Sequence, residues 1–327
     1  MQFRTEIIVP PAPSFISRPK GIFTIGSCFA EVIGRKLQEV KANVLVNPFG
    51  TIFNPLSMHK LLRASLQQDV AWLEEGLVEQ NGIWHHYDFH SSFSHPQREE
   101  LLKQLTEQIL RAHHFLLQAE TVLLTWGTAF VYERRDNGAL VANCHKIPQR
   151  EFSKRLLSLS ELEQDTRQTL ELLHTHCPNQ RVILTVSPVR HLKDTLPLNS
   201  VSKSLLRVAT HTATEEHHQT TYFPAYELLL DDLRDYRFFA EDLLHPSAMA
   251  EQYIWEKFTQ AYADQDFTAF IQQWAEIQRD LAHKPFHPQS PAHHKFLQKL
   301  LQKLQLLAPI ADVQAEIETV QRQLRMS

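Results

Sequence analysis

Ile22-Phe23-Thr24-Ile25-Gly26-Ser27-Cys28-Phe29-Ala30 is the stretch whose reading decides the fold. It begins as a short β-branched and aromatic run of the kind that forms a buried parallel strand, and it stops on Gly26. Glu31-Val32-Ile33-Gly34-Arg35-Lys36-Leu37 then repeats apolar residues at helical spacing, so strand passes directly into helix. In an α/β protein such a junction lies beyond the carboxyl end of a strand and at a helix N-terminus. Unpaired N–H groups and the helix dipole favour negative charge there. Ser27 occupies the junction as a candidate nucleophile. Serine is also a preferred N-cap, and taken alone the segment supports capping better.

Working outward, further strand-like runs fall at 22–25, Val44–Val46, 121–126, Arg181–Val186 and, more weakly, 221–223. Helical patterns separate them, most clearly at 99–117 and 159–175. This alternation predicts right-handed crossovers and a parallel sheet covered on both faces. Ligands in such folds gather beyond the carboxyl ends of the strands. Ser27, Asn47 to Gly50, Gly127, and Ser187 to His191 are all expected there. Two insertions read as β-hairpins: 77–88 around Asn81-Gly82, and 130–143 around Asp136-Asn137-Gly138. The second is expected to carry Asn143 and His145 back toward Gly127.

Near the other end, Ala240-Glu241-Asp242-Leu243-Leu244-His245-Pro246-Ser247 precedes an amphipathic helix at 248–263. Asp242 and His245 are three residues apart on a turn. One short segment can thus present a carboxylate that fixes the imidazole tautomer while the other ring nitrogen faces a nucleophile. Pro246 suits the first turn of the following helix.

With these two motifs in view, the chain resembles the GSCFA-domain family, related to the SGNH/GDSL hydrolases. The resemblance rests on Gly26-Ser27-Cys28-Phe29-Ala30 and extends through Asn47-Pro48-Phe49-Gly50-Thr51-Ile52-Phe53-Asn54-Pro55, Gly127-Thr128-Ala129-Phe130-Val131-Tyr132, Val141-Ala142-Asn143-Cys144-His145-Lys146 and Ser187-Pro188-Val189-Arg190-His191. It implies a three-layer α/β/α, flavodoxin-like domain, taken as 1–284; beyond His283 the chain changes character, with Pro285, Pro288 and Pro291 ahead of two helical stripes, and 285–327 reads as a C-terminal helical extension. The resemblance also implies that Ser27 is the nucleophile, His245 the base and Asp242 the group that orients it, with Cys28 turned toward packing. Two departures stand out: Gly26 replaces the aspartate that usually precedes the serine, and Gly127-Thr128-Ala129 lacks the usual block asparagine. The implied oxyanion hole then uses the Ser27 and Gly50 N–H groups, with the third donor open among Thr128, Asn143 and His145.

The implied reaction is acyl-ester hydrolysis through an acyl-enzyme, including deacetylation of a sugar or other small alcohol ester. O-acyl transfer by the same nucleophile is one alternative, and a non-catalytic ligand-binding protein is another. Composition is compatible: 327 residues can bury a large core, and a formal net charge of -4 gives no basic footprint for nucleic acid. The first twenty residues are broken by Arg4, Glu6, Pro10, Pro11, Pro13 and Arg18, so neither a signal peptide nor a membrane span is expected. Three cysteines, Cys28, Cys144 and Cys177, form no even disulfide framework, and a cytoplasmic location is expected.

His85, His86, His90 and His95 cluster without a metal-binding spacing, and no metal or cofactor is expected. For Arg190 and His191 two readings stand level: contact with a substrate carboxylate or phosphate, or, for Arg190, pairing with a structural acid. In the tail, Phe296, Leu300, Leu304 and Leu307 form one apolar stripe. Ile310, Val313, Ile317, Val320 and Leu324 form another, a helical hairpin that either folds back on the chain or pairs between subunits of a homo-oligomer.

Overall fold

The computed structural model describes residues 4–12 and 16–326. The elements run β1 (Gly21–Gly26), α1 (Cys28–Glu39), β2 (Val44–Val46), α2 (Pro55–Gln67), β3 (Leu77–Gln80), β4 (Ile83–His86), α3 (Arg98–Gln118) and β5 (Ala119–Trp126). They continue with β6 (Phe130–Arg134), β7 (Leu140–Val141), β8 (Phe152–Leu156), α4 (Leu159–His176), β9 (Arg181–Val186), α5 (Leu196–Glu216) and β10 (Thr220–Phe223). A single turn, α6 (Ala225–Glu227), leads to α7 (Ala248–Tyr262), α8 (Gln265–Ala282), α9 (Pro291–Leu307) and α10 (Gln314–Met326).

The five expected strands form one parallel sheet in the order β10-β9-β5-β1-β2. Strand side chains alternate between faces, and here the alternation builds two cores. Phe23, Ile25, Val122, Leu124, Val182 and Leu184 enter a core shared with α2, α3, α4 and α5. Ile22, Leu123 and Ile183 enter a second core shared with α1 and α7 to α10. The result is the expected three-layer α/β/α architecture. The chain leaves β1 for β2 at one edge and returns to β5 on the other side of β1. The topological switch point, where open α/β sheets leave a crevice, therefore lies between the carboxyl ends of β1 and β5.

Both hairpins form. β3 and β4 are joined through Asn81 and Gly82, whose φ values of 54° and 77° suit a two-residue hairpin loop. β6 pairs with β7 and also with β8, a strand absent from the sequence reading. Phe152-Ser153-Lys154-Arg155-Leu156 carries charges that are neutralised only in the folded chain, Lys154 by Asp194 and Arg155 by Glu133 and Glu161.

The tail folds back on its own chain. Leu300, Leu304, Leu307, Val313, Ile317 and Val320 are buried in the second core. Lys41 beside the end of α1 bonds Glu316 of α10 at 2.7 Å, and the Trp274 indole of α8 donates to the Glu39 carbonyl at 2.7 Å. Among the described residues, no helix is long and apolar enough to cross a membrane.

Candidate active site

At the β1–α1 junction Gly26 has a φ of +149°, and a Cβ there would lie 2.3 Å from the Thr125 carbonyl oxygen. Only glycine lets β1 approach β5 this closely and still turn into α1. Ser27 follows as the N-cap. Its Oγ accepts from the Phe29 N–H at 3.3 Å, its own N–H donates to the Thr125 carbonyl at 3.1 Å, and it has no accessible surface. Cys28, the first residue of α1, is only partly buried. Ser27 is therefore enclosed, while the residue Cys28 keeps part of its surface open and burial pushes its thiol up. As a cap, Ser27 makes a stability contribution that can be measured. Ser27→Ala is expected to cost about 1 kcal/mol and lower Tm by about 2 °C; an unchanged melting curve would show that the cap contributes nothing.

Asp242 and His245 meet as expected. The carboxylate contacts His245 Nδ1 at 2.6 Å through Oδ2, while Oδ1 accepts the Leu244 and His245 N–H groups at 2.9 and 3.0 Å. Those two N–H groups, then the ring, hold the Asp242 carboxyl down to about 2. The turn requires Leu243 at a φ of 59°, in the left-handed region. The pair is open to solvent, with 48% of the His245 side chain exposed, and among the described residues no hydrogen bond joins His245 to Ser27. Arg190 ties this loop to the end of β9: its N–H donates to the Leu244 carbonyl, its guanidinium donates to the Leu243 carbonyl, and it lies 4.1 Å from the Phe239 ring centroid. Arg190 therefore braces the loop by a contact that neither sequence-based reading anticipated.

The expected oxyanion donors are engaged elsewhere. The Gly50 N–H donates to the Asn47 carbonyl at 2.8 Å, and the Ser27 N–H is held by Thr125. The return of the second hairpin stops short of the junction, because the Ala142 and Asn143 N–H groups both bond the Tyr87 carbonyl. Asn143 then donates to Ser91 Oγ at 2.9 Å, while buried His145 bonds the His86 carbonyl at 2.8 Å and stacks on His85. Both serve the loop after β4. Gly127 does lie at the crevice, its N–H held by the Phe53 carbonyl at 2.8 Å. Thr128 Oγ1 pairs with Ser202 Oγ at 3.1 Å and accepts from the Phe130 N–H.

Next to Gly127, Thr128, Arg190 and His191 also line a cavity of ≈ 390 Å³, together with Phe53, Asn54 and Lys154. Asn54 caps α2 and is 5% exposed. Sequence reading also missed Lys203, a buried lysine on α5 whose Nζ donates to the Gly127 and Ser187 carbonyls at 2.6 and 2.7 Å. Burial pulls its pKa down to about 7, and the Cys28 side chain acts on it electrostatically. A signal was present: Asn199, Ser202, Lys203, Leu206 and Thr210 share one helical face, an unusually polar stripe for a buried side.

A model described as "GSCFA family" matches residues 21–258, and one described as "GSCFA domain protein, C-terminal domain" matches 274–326. The chain belongs to the GSCFA family. Among solved structures, this GSCFA chain is similar to a Corynascus thermopiles (Myceliophthora fergusii) carbohydrate esterase family 2 enzyme plus carbohydrate binding domain. Identity is 14%, with 81% of this chain and 69% of that one covered at a TM-score of 0.38. A Clostridium thermocellum family 3 carbohydrate esterase is 9% identical, covering 74% and 94%, with a TM-score of 0.32. The acetyl xylan esterase Est2A from the rumen bacterium Butyrivibrio proteoclasticus is 12% identical, covering 79% and 66%, with a TM-score of 0.33. No curated protein matches the chain in sequence.

Three histidines of this GSCFA chain make its stability depend on acid. Burial is the largest cause in each case, pulling His86 and His191 down to about 3 and His145 to about 4, from an ordinary 6.5. Between those values and 6.5 the unfolded chain binds more protons than the folded one, so stability falls as pH falls. Each neutral histidine contributes a slope of about 1.4 kcal/mol per pH unit within that window. Tm is expected to be level above pH 7 with respect to these groups and to drop progressively below 6.5. His191→Gln should flatten the acid limb, and an equal acid limb in that variant would contradict the assignment.

Proposed function

We propose that the chain hydrolyses acyl esters of a sugar or other small alcohol, forming an acyl-enzyme at the β1–α1 junction. The observation that carries this reading is the 2.6 Å contact between Asp242 and His245 Nδ1, on a loop that Arg190 ties to the end of β9. The carboxylate fixes the Nδ1–H tautomer and leaves Nε2 free as a base. His245 would take the nucleophile's proton, return it to the leaving alcohol and then activate water. The neighbouring cavity, with Phe53 and Phe130 beside Lys154 and Arg190, offers apolar walls and charged donors for the ester.

The exposure of His245 supports hydrolysis over transfer, because water reaches the base directly. Free Cys28, Cys144 and Cys177 suit a reducing compartment, and we place the reaction in the cytoplasm. The test is turnover of a chromogenic acetate ester, with and without an added sugar alcohol as acceptor. Release of acetate in both conditions supports a hydrolase. Acetylated acceptor as the main product would make it a transferase, and ligand protection without turnover would make it a binding protein.

A further inference from the structure

α5 is inverted relative to an ordinary surface helix, which turns its apolar stripe to the core. Its inner face is polar because it holds the crevice loops. Asn199 Oδ1 accepts the His191 N–H at 2.9 Å, Ser202 Oγ accepts the Ala129 N–H at 2.7 Å, and Lys203 donates to the Gly127 and Ser187 carbonyls. The outer face is aliphatic. Leu196, Leu198, Val201 and Val208 are between 45% and 50% exposed, and partly buried Leu205 lies between the last two.

No exposed residue between Thr195 and Thr210 carries a charge, Arg207 being half-buried and bound to Glu227. Other helices of the same layer are solvated in the ordinary way, with Lys103, Glu107 and Arg111 exposed on α3 and Arg167 and Glu171 on α4. Single exposed aliphatic residues are common on monomers, but a contiguous uncharged stripe marks a contact surface.

The spacing of the stripe identifies what covers it. Leu198, Val201, Leu205 and Val208 follow steps of three, four and three, the seam of two packed helices. That series reads the same in both directions about residue 203. A two-fold axis there, with the helices antiparallel, sets Leu198 against Val208 and Val201 against Leu205 of a second copy, and each contact is made twice. The charged ends agree. Lys193 just before α5 and Glu215 in its last turn are exposed, and among the described residues neither belongs to an ion pair. About the same axis, Lys193 of one copy falls about two residues from Glu215 of the other, or about 3 Å at the rise of a helix, which two long side chains span. Parallel pairing would bring like charges together instead. A lipid surface fits less well, because helices that lie on membranes carry basic residues and aromatic anchors, and α5 exposes neither between Thr195 and Thr210.

We propose that α5 is the interface of a homodimer, two copies meeting antiparallel along Leu198, Val201, Leu205 and Val208. The stripe runs on toward Leu192, which is 49% exposed and lines the cavity beside the Asp242–His245 loop, so the second copy stands at the rim of the crevice. The tail helices take no part, since their apolar stripes are buried inside the chain. The pairing does not depend on which reaction the crevice performs.

Sedimentation velocity of the full chain from about 1 to about 100 μM tests this, the range over which a modest interface dissociates. Expected is a particle of twice the 38.0 kDa chain at the upper end, falling to one chain on dilution. Val201→Glu places a carboxylate in the seam and should raise the dissociation constant about tenfold or more, with Tm little changed because the side chain is already half exposed. Leu198→Lys and Val208→Glu should each weaken the dimer alone and restore it when mixed, since the antiparallel register sets 198 against 208. A wild-type chain that stays monomeric throughout overturns the inference, as does a dimer that all three substitutions leave intact. A mixture that recovers nothing, while Val201→Glu dissociates the dimer, overturns the antiparallel pairing. A monomer that instead cosediments with phosphatidylcholine vesicles assigns the stripe to lipid and overturns the homodimer.

Discussion

Replacing His245 with alanine is expected to lower ester turnover by about a hundredfold to ten-thousandfold, the range typical of a lost general base. That corresponds to about 3 to 5 kcal/mol of transition-state stabilisation. The loop should survive the change. Its shape is held by backbone bonds that alanine retains: the Ala240 N–H to the residue 245 carbonyl at 2.8 Å, and the residue 245 N–H to Asp242. Since 48% of the His245 side chain is exposed, Tm should move little. Asp242→Asn separates two roles of the carboxylate. Asparagine can still accept the Leu244 and His245 N–H groups and keep the turn, but it no longer fixes the ring tautomer with a negative charge. Asp242→Asn should therefore lose turnover at unchanged Tm, whereas Asp242→Ala should also loosen the loop. Steady-state kinetics beside thermal denaturation of all three variants decides the matter, and wild-type turnover in His245→Ala would remove the histidine from the mechanism.

The fold was legible because its signals are local. Four of the five parallel strands are largely apolar runs, with β10 the weaker fifth, and helices must cover both faces of a sheet whose side chains are mostly apolar on either side. Phe23 and Ile25 enter one core while Ile22 enters the other, so the run 22–25 carried the three-layer architecture within four residues. β8 stayed hidden for the opposite reason: Lys154 and Arg155 belong in a strand only once Asp194, Glu133 and Glu161 have been brought to them.

The site divides the same way. Asp242 and His245 are joined by a turn of four residues, and their spacing fixed their contact. How far each side chain at the junction is enclosed depends instead on how tightly Gly26 approaches Thr125, a relation between β1 and β5 that no local pattern records. That approach buries Ser27 and leaves Cys28 partly open. Asn143 and His145 were expected beside Gly127 because a hairpin returns its chain near its start. The Tyr87 carbonyl captures two N–H groups at the end of the return and diverts both side chains to the loop after β4. For Lys203 the polar stripe on α5 marks a buried helical face, but its place at the crevice follows only from the two carbonyls it binds, one beyond β5 and one beyond β9.

Ending the chain at residue 284 is expected to destabilise the whole protein rather than remove an accessory. Leu297, Leu300, Leu304, Leu307, Val313, Ile317 and Val320 are at most 8% exposed, and they share a core with Phe267, Phe270, Trp274 and Ile277 of α8. Fully burying an aliphatic or aromatic side chain stabilises by about 1.5–3 kcal/mol. Contacts between α9 and α10 vanish along with the helices that make them, so the relevant loss is on the partner face. Four large side chains of α8 uncovered in part still amount to several kcal/mol, against a typical total stability of about 5–15 kcal/mol. The same core contains Phe29, Ile33 and Leu37 of α1, the helix that presents Cys28. Loosening α8 should therefore disturb the junction through α1, although the tail supplies none of the crevice residues. Truncated protein is expected to melt well below the full chain, or to aggregate through the exposed α8 face, and any folded fraction should keep the Asp242–His245 contact. Thermal denaturation, light scattering and turnover per folded molecule measure these separately. A monomeric truncation with an unchanged Tm would show that the hairpin is only docked, and one with a normal melt but no turnover would place part of the active site beyond residue 284.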